Sequence, residues 1–258
     1  MKRVLTALLL IPVVTLVVFH APPWGLLSVM TLAMLLCLHE FYDIADLLEM
    51  HPFRLVGYAA GALLAVSPKL PQPAFFVVLG AALMLLSLQR GRPLESSLTG
   101  AASTLLGVIY VAGPFALARE IHAVSPHWLF LVLALNWVGD GAAYYAGRAF
   151  GRHKLAPRVS PNKTWEGALA SGVAAISAGA AYLHYFQPAD LHLLEIVLFA
   201  ASINIAAQFG DLAESALKRG ARVKDSGAIL PGHGGMLDRL DGILFSFVAA
   251  YICLTWML

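Results

Sequence analysis

Residues 127–148 read HWLFLVLALNWVGDGAAYYAGR, an apolar run that is long enough to cross a bilayer yet contains Asn136 and Asp140. A transmembrane helix needs about 20 consecutive, mainly apolar residues. If Gly147 lies near the membrane surface, the rise of ~1.5 Å per residue places Asp140 roughly 10 Å deeper. An unpaired carboxylate there costs about 3 kcal/mol or more. Asp140 is therefore a candidate functional residue, although an ion pair with a basic residue of another helix would also explain it.

The composition extends this interpretation to the whole chain. Of the 258 residues, 59% are hydrophobic and 12% are charged, whereas soluble domains carry about 25% charged residues. Backbone groups inside a membrane must bond to one another, so the apolar segments should be helices. We predict an all-α, polytopic integral membrane protein of about nine transmembrane helices. The predicted segments are 4–20, 24–39, 54–69, 73–89, 98–118, 127–148, 166–186, 191–210 and 242–258.

The distribution of basic residues predicts the topology. If the N-terminus is cytoplasmic, the cytoplasmic segments hold every one of the 17 lysines and arginines except Lys69 and Arg119. Cytoplasmic loops of membrane proteins are enriched in these residues. We therefore expect the C-terminus outside. The first segment lacks a signal-peptide cleavage pattern and is interpreted as a span. The expected location is the inner cell membrane, multi-pass, with the active site facing the cytoplasm.

The polar signals are unevenly distributed along the chain. Two long basic stretches, 148–165 and 211–241, lie in the second half. We predict that residues 1–126 are mainly scaffold and that 127–258 carry the catalytic loops, within a single membrane-embedded unit.

An acidic stretch in the first half, 39–54, is the exception to this division. Its acidic residues alternate with apolar ones, which predicts a partly amphipathic helix extension at the membrane surface. We interpret its acidic face as solvated. The acidic residues are Glu40, Asp43, Asp46 and Glu49.

A polar stripe marks the end of the eighth segment. Its residues are spaced by four, three, four and three, which places them on one face of a helix. Hydrogen bonding between helices would explain the uncharged members, but the charged members at the cytoplasmic end favour the wall of a polar cavity. The stripe consists of Asn204, Gln208, Asp211, Ser215 and Lys218.

Two further segments favour phosphate chemistry. Asp238 and Asp241 lie three residues apart after the glycine-rich run 231–235. Paired carboxylates suit a hard divalent cation, and a glycine-rich turn can direct backbone N–H groups at an anion. The loop 160–167, SPNKTWEG, has the pattern of a helix N-terminus, and helix N-termini bind phosphates. A basic cap on the membrane helix would explain the second segment equally well.

At this point a family resemblance becomes visible. Residues 215–241 read SALKRGARVKDSGAILPGHGGMLDRLD, which resembles the signature of the phosphatidate cytidylyltransferases. The runs GDLAES at 210–215, SPNKTWEG at 160–167 and the segment around Asp140 are also similar to the family. The family often has a basic residue at the position of Asn162, and usually Asp-Thr-Gly where this chain has Asp-Gly-Ala.

The resemblance implies a reaction and a set of residue roles. CMP would pass from CTP to phosphatidate, giving CDP-diacylglycerol and pyrophosphate, with Mg²⁺ as cofactor. The implied metal ligands are Asp211, Asp238, Asp241 and Asp140. The implied catalytic residues are Lys218, Arg219, Lys224, Asp225 and His233, of which His233 as a base is the weaker reading. The implied substrate-binding residues are Ser160, Asn162, Lys163, Thr164, Ser215, Gly234, Gly235 and Arg239.

Two other functions fit parts of the pattern. A CTP-dependent lipid kinase would also combine many spans with basic loops, but the continuous 215–241 pattern opposes it. A transporter often has two similar halves, and this chain does not. The expected partners are CTP, phosphatidate and the bilayer. A net charge of +2 indicates no nucleic acid, and a homodimer is left open.

Overall fold

The computed structural model describes residues 2–67, 72–88, 94–186, 191–229 and 234–258, and most of this chain is helical. The side chains of residues 2–10 and 72 are outside the description. The helices are α1 (Lys2–His20), α2 (Pro23–Leu47), α3 (Arg54–Val66), α4 (Gln72–Leu86), α5 (Ser97–Gly107), α6 (Gly113–Val124), α7 (Pro126–Phe150), α8 (Trp165–Phe186), α9 (Leu193–Gly220) and α10 (Leu237–Met257).

Six helical stretches of the described chain are long and apolar enough to cross a membrane. They are Pro23–Leu47, Leu94–Val124, Pro126–Phe150, Trp165–Phe186, Leu193–Gly220 and Leu237–Met257. Three further apolar helical segments are shorter, namely Arg54–Val66 and the parts of α1 and α4 whose side chains are described, Ile11–His20 and Pro73–Leu86. The prediction of a helical, multi-pass membrane protein is thus confirmed.

One of these stretches changes its winding halfway along. A short 3₁₀ turn, Leu94–Ser96, leads into α5, and the π-helical turn Val108–Ala112 joins α5 to α6. Pro114 follows this turn directly. Proline has no N–H and its ring clashes with the preceding turn of an α-helix. The π-helix is rare and occurs mostly as a single turn inside an α-helix, and here it precedes the proline without ending the span.

The chain forms two compact units, each assembled from separate segments. The first unit contains Met1–Pro22, Leu117–Ala216 and Arg239–Leu258. The second unit contains Pro23–Ala116 and Leu217–Asp238. The helices α9 and α10 each contribute to both units. The division at residue 126 between scaffold and catalytic loops stays a prediction.

In the first unit, α7 and α8 pack closely through small residues. A Cβ added to Gly167 would lie 2.8 Å from the backbone oxygen of Ala143, and one added to Gly147 would lie 3.1 Å from Thr164 Oγ1. Membrane helices often approach each other through such small residues. The close approach brings the segment before α8 against the end of α7.

In the second unit, the ring of Tyr42 is enclosed by two glycines. A Cβ on Gly57 or Gly107 would overlap that ring, at 2.6 Å from Cε1 in the case of Gly107. The Tyr42 hydroxyl donates to the carbonyl oxygen of Thr104 at 3.2 Å. The hydroxyl of Thr104 in turn accepts from Phe53 N at 2.7 Å. These contacts hold α2, α3 and α5 together.

The two basic stretches differ from simple loops. Lys154–Ala156 (β1) and Ser160–Thr164 (β2) form a two-stranded antiparallel hairpin. The predicted helix start is confirmed at Trp165, with Glu166 in its first turn. Residues 160–164, which were expected to form a loop before that helix start, form the strand β2 instead. The second stretch is helical at both ends, in α9 and α10.

The acidic stretch 39–54 is helical up to Leu47, as predicted. Asp43 and Asp46 both pair with Arg54 at 2.6 Å, and Glu49 is exposed. Glu40 is only 1% exposed. The interpretation of a solvated acidic face is therefore wrong for Glu40.

Candidate active site

A charged cluster in the first unit joins three elements. Lys163 of β2 places Nζ 2.7 Å from Oδ2 of Asp211 in α9. Asp211 and Lys163 are also the charged groups that act on Asp140 of α7. The three residues are far apart in sequence, and the fold brings them together. The cluster offers two carboxylates beside one ammonium group.

The hairpin is held in place by contacts at the start of α8. His153 Nδ1 lies 2.7 Å from Glu166 Oε1. Thr164 is buried, and its hydroxyl accepts from Gly167 N at 3.2 Å, so it caps α8. Of the predicted substrate-binding residues in this segment, Lys163 is therefore fixed between a capped helix and Asp211. Ser160 is half-buried and Asn162 is exposed.

The polar stripe of α9 divides into two parts. Asn204 donates to Ser171 Oγ at 2.6 Å, and Gln208 donates to Asn204 Oδ1 at 2.7 Å and to the carbonyl oxygen of Ala168 at 3.2 Å. These two residues therefore connect α9 to α8. Hydrogen bonding between helices thus accounts for both residues, and the interpretation as a cavity wall stays a prediction. Ser215 donates to Asp211 Oδ1 at 3.3 Å and belongs with the charged cluster.

Asn136 also has a structural role. It is 4% exposed, and its Nδ2 donates to Ser246 Oγ at 3.0 Å and to the carbonyl oxygen of Val132 at 2.8 Å. Asp140, one turn later in α7, is exposed. Only the second of these two polar residues can therefore meet a ligand.

The crossing of α9 and α10 places Asp241 in the first unit. A Cβ on Gly210 would lie 2.5 Å from the backbone oxygen of Asp241, and one on Gly242 would lie 3.0 Å from that of Ala207. Asp211 follows Gly210 directly in the chain. The close crossing thus fixes the backbone beside both of these acidic residues.

In the second unit, Asp238 pairs with Lys218. Their side chains are 9% and 10% exposed, respectively. Oδ1 of Asp238 accepts from Lys218 Nζ, while Oδ2 accepts from Gly235 N at 2.8 Å and from Ser226 N at 3.0 Å. Gly235 N therefore contacts a carboxylate of the protein, contrary to the expectation that it faces a phosphate. Gly234 has a φ of +79°, which a side chain would strain.

The remaining predicted residues of this segment occupy its surface. Arg219 is exposed and donates to the carbonyl oxygen of Val223 at 3.1 Å. Lys224, Asp225 and Arg239 are also exposed. The structure thus keeps the predicted cations Arg219, Lys224 and Arg239 accessible and buries Lys218. His233 lies outside the described residues.

Sequence reasoning missed Glu40. Its carboxylate accepts from Met236 N at 2.9 Å, from Leu237 N at 2.7 Å and from Ser226 Oγ at 3.0 Å. A single acidic residue that continues an apolar helix is the signal that could have identified it, because charged residues inside membrane helices are rare and usually functional. The predicted segment ended at residue 39, and Glu40 was therefore assigned to the surface.

The residues present can be tested against the implied Mg²⁺. Within the described chain, no three histidine, cysteine or acidic side chains form a ligand group. Mg²⁺ in nucleotide enzymes is commonly held by one or two carboxylates together with substrate phosphates and water. The oxygen donors of Asp140 and Asp211 fit this mode of binding.

Fold and site together define a class: a multi-pass helical membrane protein with charged groups suited to a phosphate compound. The chain belongs to the cytidylyltransferase family, whose model matches residues 1–257.

Several curated relatives are named phosphatidate cytidylyltransferase. The one from Haemophilus influenzae is 39% identical over 150 residues, which cover 55% of this chain and 51% of the relative. The one from Thermotoga maritima is 44% identical over 128 residues, 47% of each chain. The one from Staphylococcus haemolyticus is 38% identical over 149 residues, 58% of this chain and 57% of the relative. The matches thus span about half the length of these relatives.

Proposed function

We propose that this protein is a phosphatidate cytidylyltransferase, which transfers CMP from CTP to phosphatidate and forms CDP-diacylglycerol and pyrophosphate. The observation that carries the proposal is the cluster of Asp140, Lys163 and Asp211 in a chain of the cytidylyltransferase family. Carboxylates that can hold a cation, beside an ammonium group, are what transfer between phosphates requires.

The reaction exchanges one phosphorus–oxygen bond for another. A phosphate oxygen of phosphatidate bonds to the α-phosphorus of CTP, and the bond from that phosphorus to the bridging oxygen of the β-phosphate breaks. Pyrophosphate takes the electron pair and leaves. The attacking phosphate is already ionised at neutral pH, so no side chain has to remove a proton. The proposed work of the protein is therefore to place the substrates and to stabilise charge.

The basic residues divide this work according to their exposure. Lys163 is held by Asp211 and offers its remaining donors to a phosphate. Arg219, Lys224 and Arg239 are exposed and are proposed to attract the triphosphate and the lipid phosphate. Lys218 is tied to Asp238, and we propose that it keeps a positive charge at a fixed position. Asp225 is proposed to orient Lys224 or Arg219.

Mg²⁺ is proposed as the cofactor, with Asp140 and Asp211 as its protein ligands and Asp241 as a further candidate. When bound, it would neutralise charge on the triphosphate and so favour departure of pyrophosphate. Asp238 is also a predicted ligand. Both of its oxygens already accept hydrogen bonds, as do both oxygens of Asp211, from Lys163 and Ser215. The two differ in exposure, because the side chain of Asp211 is 38% exposed and that of Asp238 is 9% exposed. A metal role for Asp238 would require it to release Lys218.

We further propose the complete topology. Nine spans, with a cytoplasmic N-terminus and an external C-terminus, would place both basic stretches on the cytoplasmic side. There they would meet CTP, which is soluble in water, while phosphatidate enters from the lipid. The inner cell membrane of a bacterium is the proposed location.

The test uses detergent-purified protein, phosphatidate, Mg²⁺ and CTP labelled at the α-phosphate. We expect label in the lipid phase and one pyrophosphate per labelled lipid. A parallel reaction contains CTP labelled at the γ-phosphate and diacylglycerol. Label entering lipid from the γ position, with CDP as the other product, would identify a lipid kinase. Absence of transfer from either position would contradict both enzyme functions.

A further inference from the structure

We propose that Glu40 is a positioning residue for this transfer. From α2 it holds the glycine turn, by which we mean the described residues 226–227 and 234–236, together with the start of α10, and it thereby sets the position of Asp238 and Lys218. The proposal rests on the proposed function for its kinetic consequences. Its structural part concerns contacts inside the second unit and stands independently.

Glu40 accepts hydrogen bonds from three donors. Its side chain is 1% exposed, and Oε1 accepts from Met236 N, while Oε2 accepts from both Leu237 N and Ser226 Oγ. A buried carboxylate is tolerated only when it is paired or hydrogen-bonded. Three donors converge here from one segment, so Glu40 and that segment stabilise each other.

Glu40 also provides acceptors at the point where α10 begins. The first N–H groups of a helix have no partner within the helix, and a local Ser, Thr, Asp or Asn usually accepts from them. Gly235 and Met236, which precede α10, have no side-chain oxygen that could accept a hydrogen bond from these N–H groups. Glu40 supplies the acceptor instead, from 197 residues earlier than Leu237. It therefore helps to determine where α10 starts, and Asp238 lies in that first turn.

Ser226 links Glu40 directly to Asp238. The Ser226 hydroxyl donates to Glu40 Oε2 at 3.0 Å and accepts from Asp238 N at 3.3 Å. Ser226 N donates to Asp238 Oδ2 at 3.0 Å. The two carboxylates thus hold the same serine. A displacement of Glu40 would be passed to Asp238, and from there to its partner Lys218.

Two glycines lie directly against the Glu40 carboxylate. A Cβ on Gly227 would lie 2.6 Å from Glu40 Oε1, and a Cβ on Gly235 would overlap both the Glu40 carboxylate and Ser226 Oγ. Neither glycine has a positive φ. Their role is to let the backbone approach the carboxylate, which is further evidence that the turn is built around Glu40.

The kinetic test compares Glu40→Gln with Glu49→Gln. Both changes replace a carboxylate by an amide of the same shape, but Glu49 is exposed. In Glu40→Gln an NH₂ group meets a donor, so the turn should shift. We expect a rise in KM for CTP and a fall in kcat/KM of about 10- to 100-fold, the size of effect that small misplacements produce. In Glu40→Gln the KM for phosphatidate should stay at the wild-type value. Glu49→Gln should have the wild-type kcat/KM and the wild-type KM for both substrates.

A purely structural role predicts a different result. It would lower the yield of folded protein and leave KM for CTP and kcat per folded molecule unchanged, and that result would overturn the proposal. Ser226→Ala provides a second measurement should Glu40→Gln fail to insert. It should shift KM for CTP in the same direction. The variant that combines Glu40→Gln with Ser226→Ala should lose less transition-state stabilisation, measured from kcat/KM for CTP, than the sum of the two single losses. Strictly additive losses would contradict the proposal.

A third measurement does not depend on turnover. Trypsin can cut after Arg222 and Lys224, just before the held turn. We expect trypsin to cleave Glu40→Gln faster than wild type or Glu49→Gln. Equal cleavage rates in the three proteins would contradict the claim that Glu40 holds this turn in place. If wild type transfers no label from CTP, the proposed function and the kinetic part of this inference both fail. Cleavage still decides whether Glu40 holds the turn.

Discussion

Lys163 in the hairpin and Asp211 in α9 form an ion pair of 2.7 Å. They are separated by the whole of α8, and Thr164 beside Lys163 is buried as the cap of that helix. Lys163 is therefore held in β2 next to a helix cap, and Asp211 is held in α9. Asp140 lies within electrostatic reach of both residues.

Lys163→Met should lower kcat/KM for CTP by roughly 100-fold or more, because it removes a donor that is fixed where charge develops. The measurement is transfer of label from α-labelled CTP to lipid. Lys154→Met, in β1 of the same hairpin, is the control, since Lys154 is exposed. Equal losses in both variants would show that general positive charge, rather than the position of Lys163, is what matters.

Asp140→Asn should raise the Mg²⁺ concentration that is needed for half-maximal activity, because the amide lacks the charge of one proposed ligand. The variant should regain part of its activity at high Mg²⁺. Glu95→Gln serves as the control, since Glu95 is an exposed acidic residue outside the cluster. An unchanged Mg²⁺ dependence would argue against Asp140 as a ligand.

Asp238→Ala should abolish turnover and also lower stability. It leaves Lys218, whose side chain is 10% exposed, without its carboxylate partner. Removing one partner of a buried ion pair typically costs about 3–5 kcal/mol. The measurements are lipid labelling and thermal unfolding in detergent. Activity within a few-fold of wild type would contradict every catalytic role for Asp238.

The double variant Asp238→Ala with Lys218→Met separates the two effects. With both charges gone, most of the lost stability should return, whereas activity should stay absent. Recovery of activity together with stability would mean that the pair serves only the fold.

Ser171→Ala should affect stability and leave the reaction nearly unchanged. It removes the acceptor of the 2.6 Å hydrogen bond from Asn204, and such bonds between membrane helices contribute about 0.6–2 kcal/mol. Ser177→Ala, on the same helix at an exposed position, is the matched control. A large fall in kcat/KM for Ser171→Ala, without loss of stability, would return Asn204 and Gln208 to the wall of a polar cavity.

The sequence could predict features that depend on neighbouring residues. Apolar runs of sufficient length predict helices, since a membrane leaves the backbone no other partners. The spacing of Asp238 and Asp241 predicts that they share a face of a helix, and α10 contains both. The run 215–241 carried the resemblance to the family to which the chain belongs. All of these are properties of a local pattern.

The tertiary structure decided what each polar residue contacts. Asn136 and Ser246 are 110 residues apart, and Asn204 and Ser171 are 33 apart, so no local spacing could assign them to each other. The same holds for Glu40, which the sequence placed on a solvated surface and the fold buried against Leu237. A carboxylate inside an apolar helix must find donors, but only the packing of distant segments determines which donors it finds.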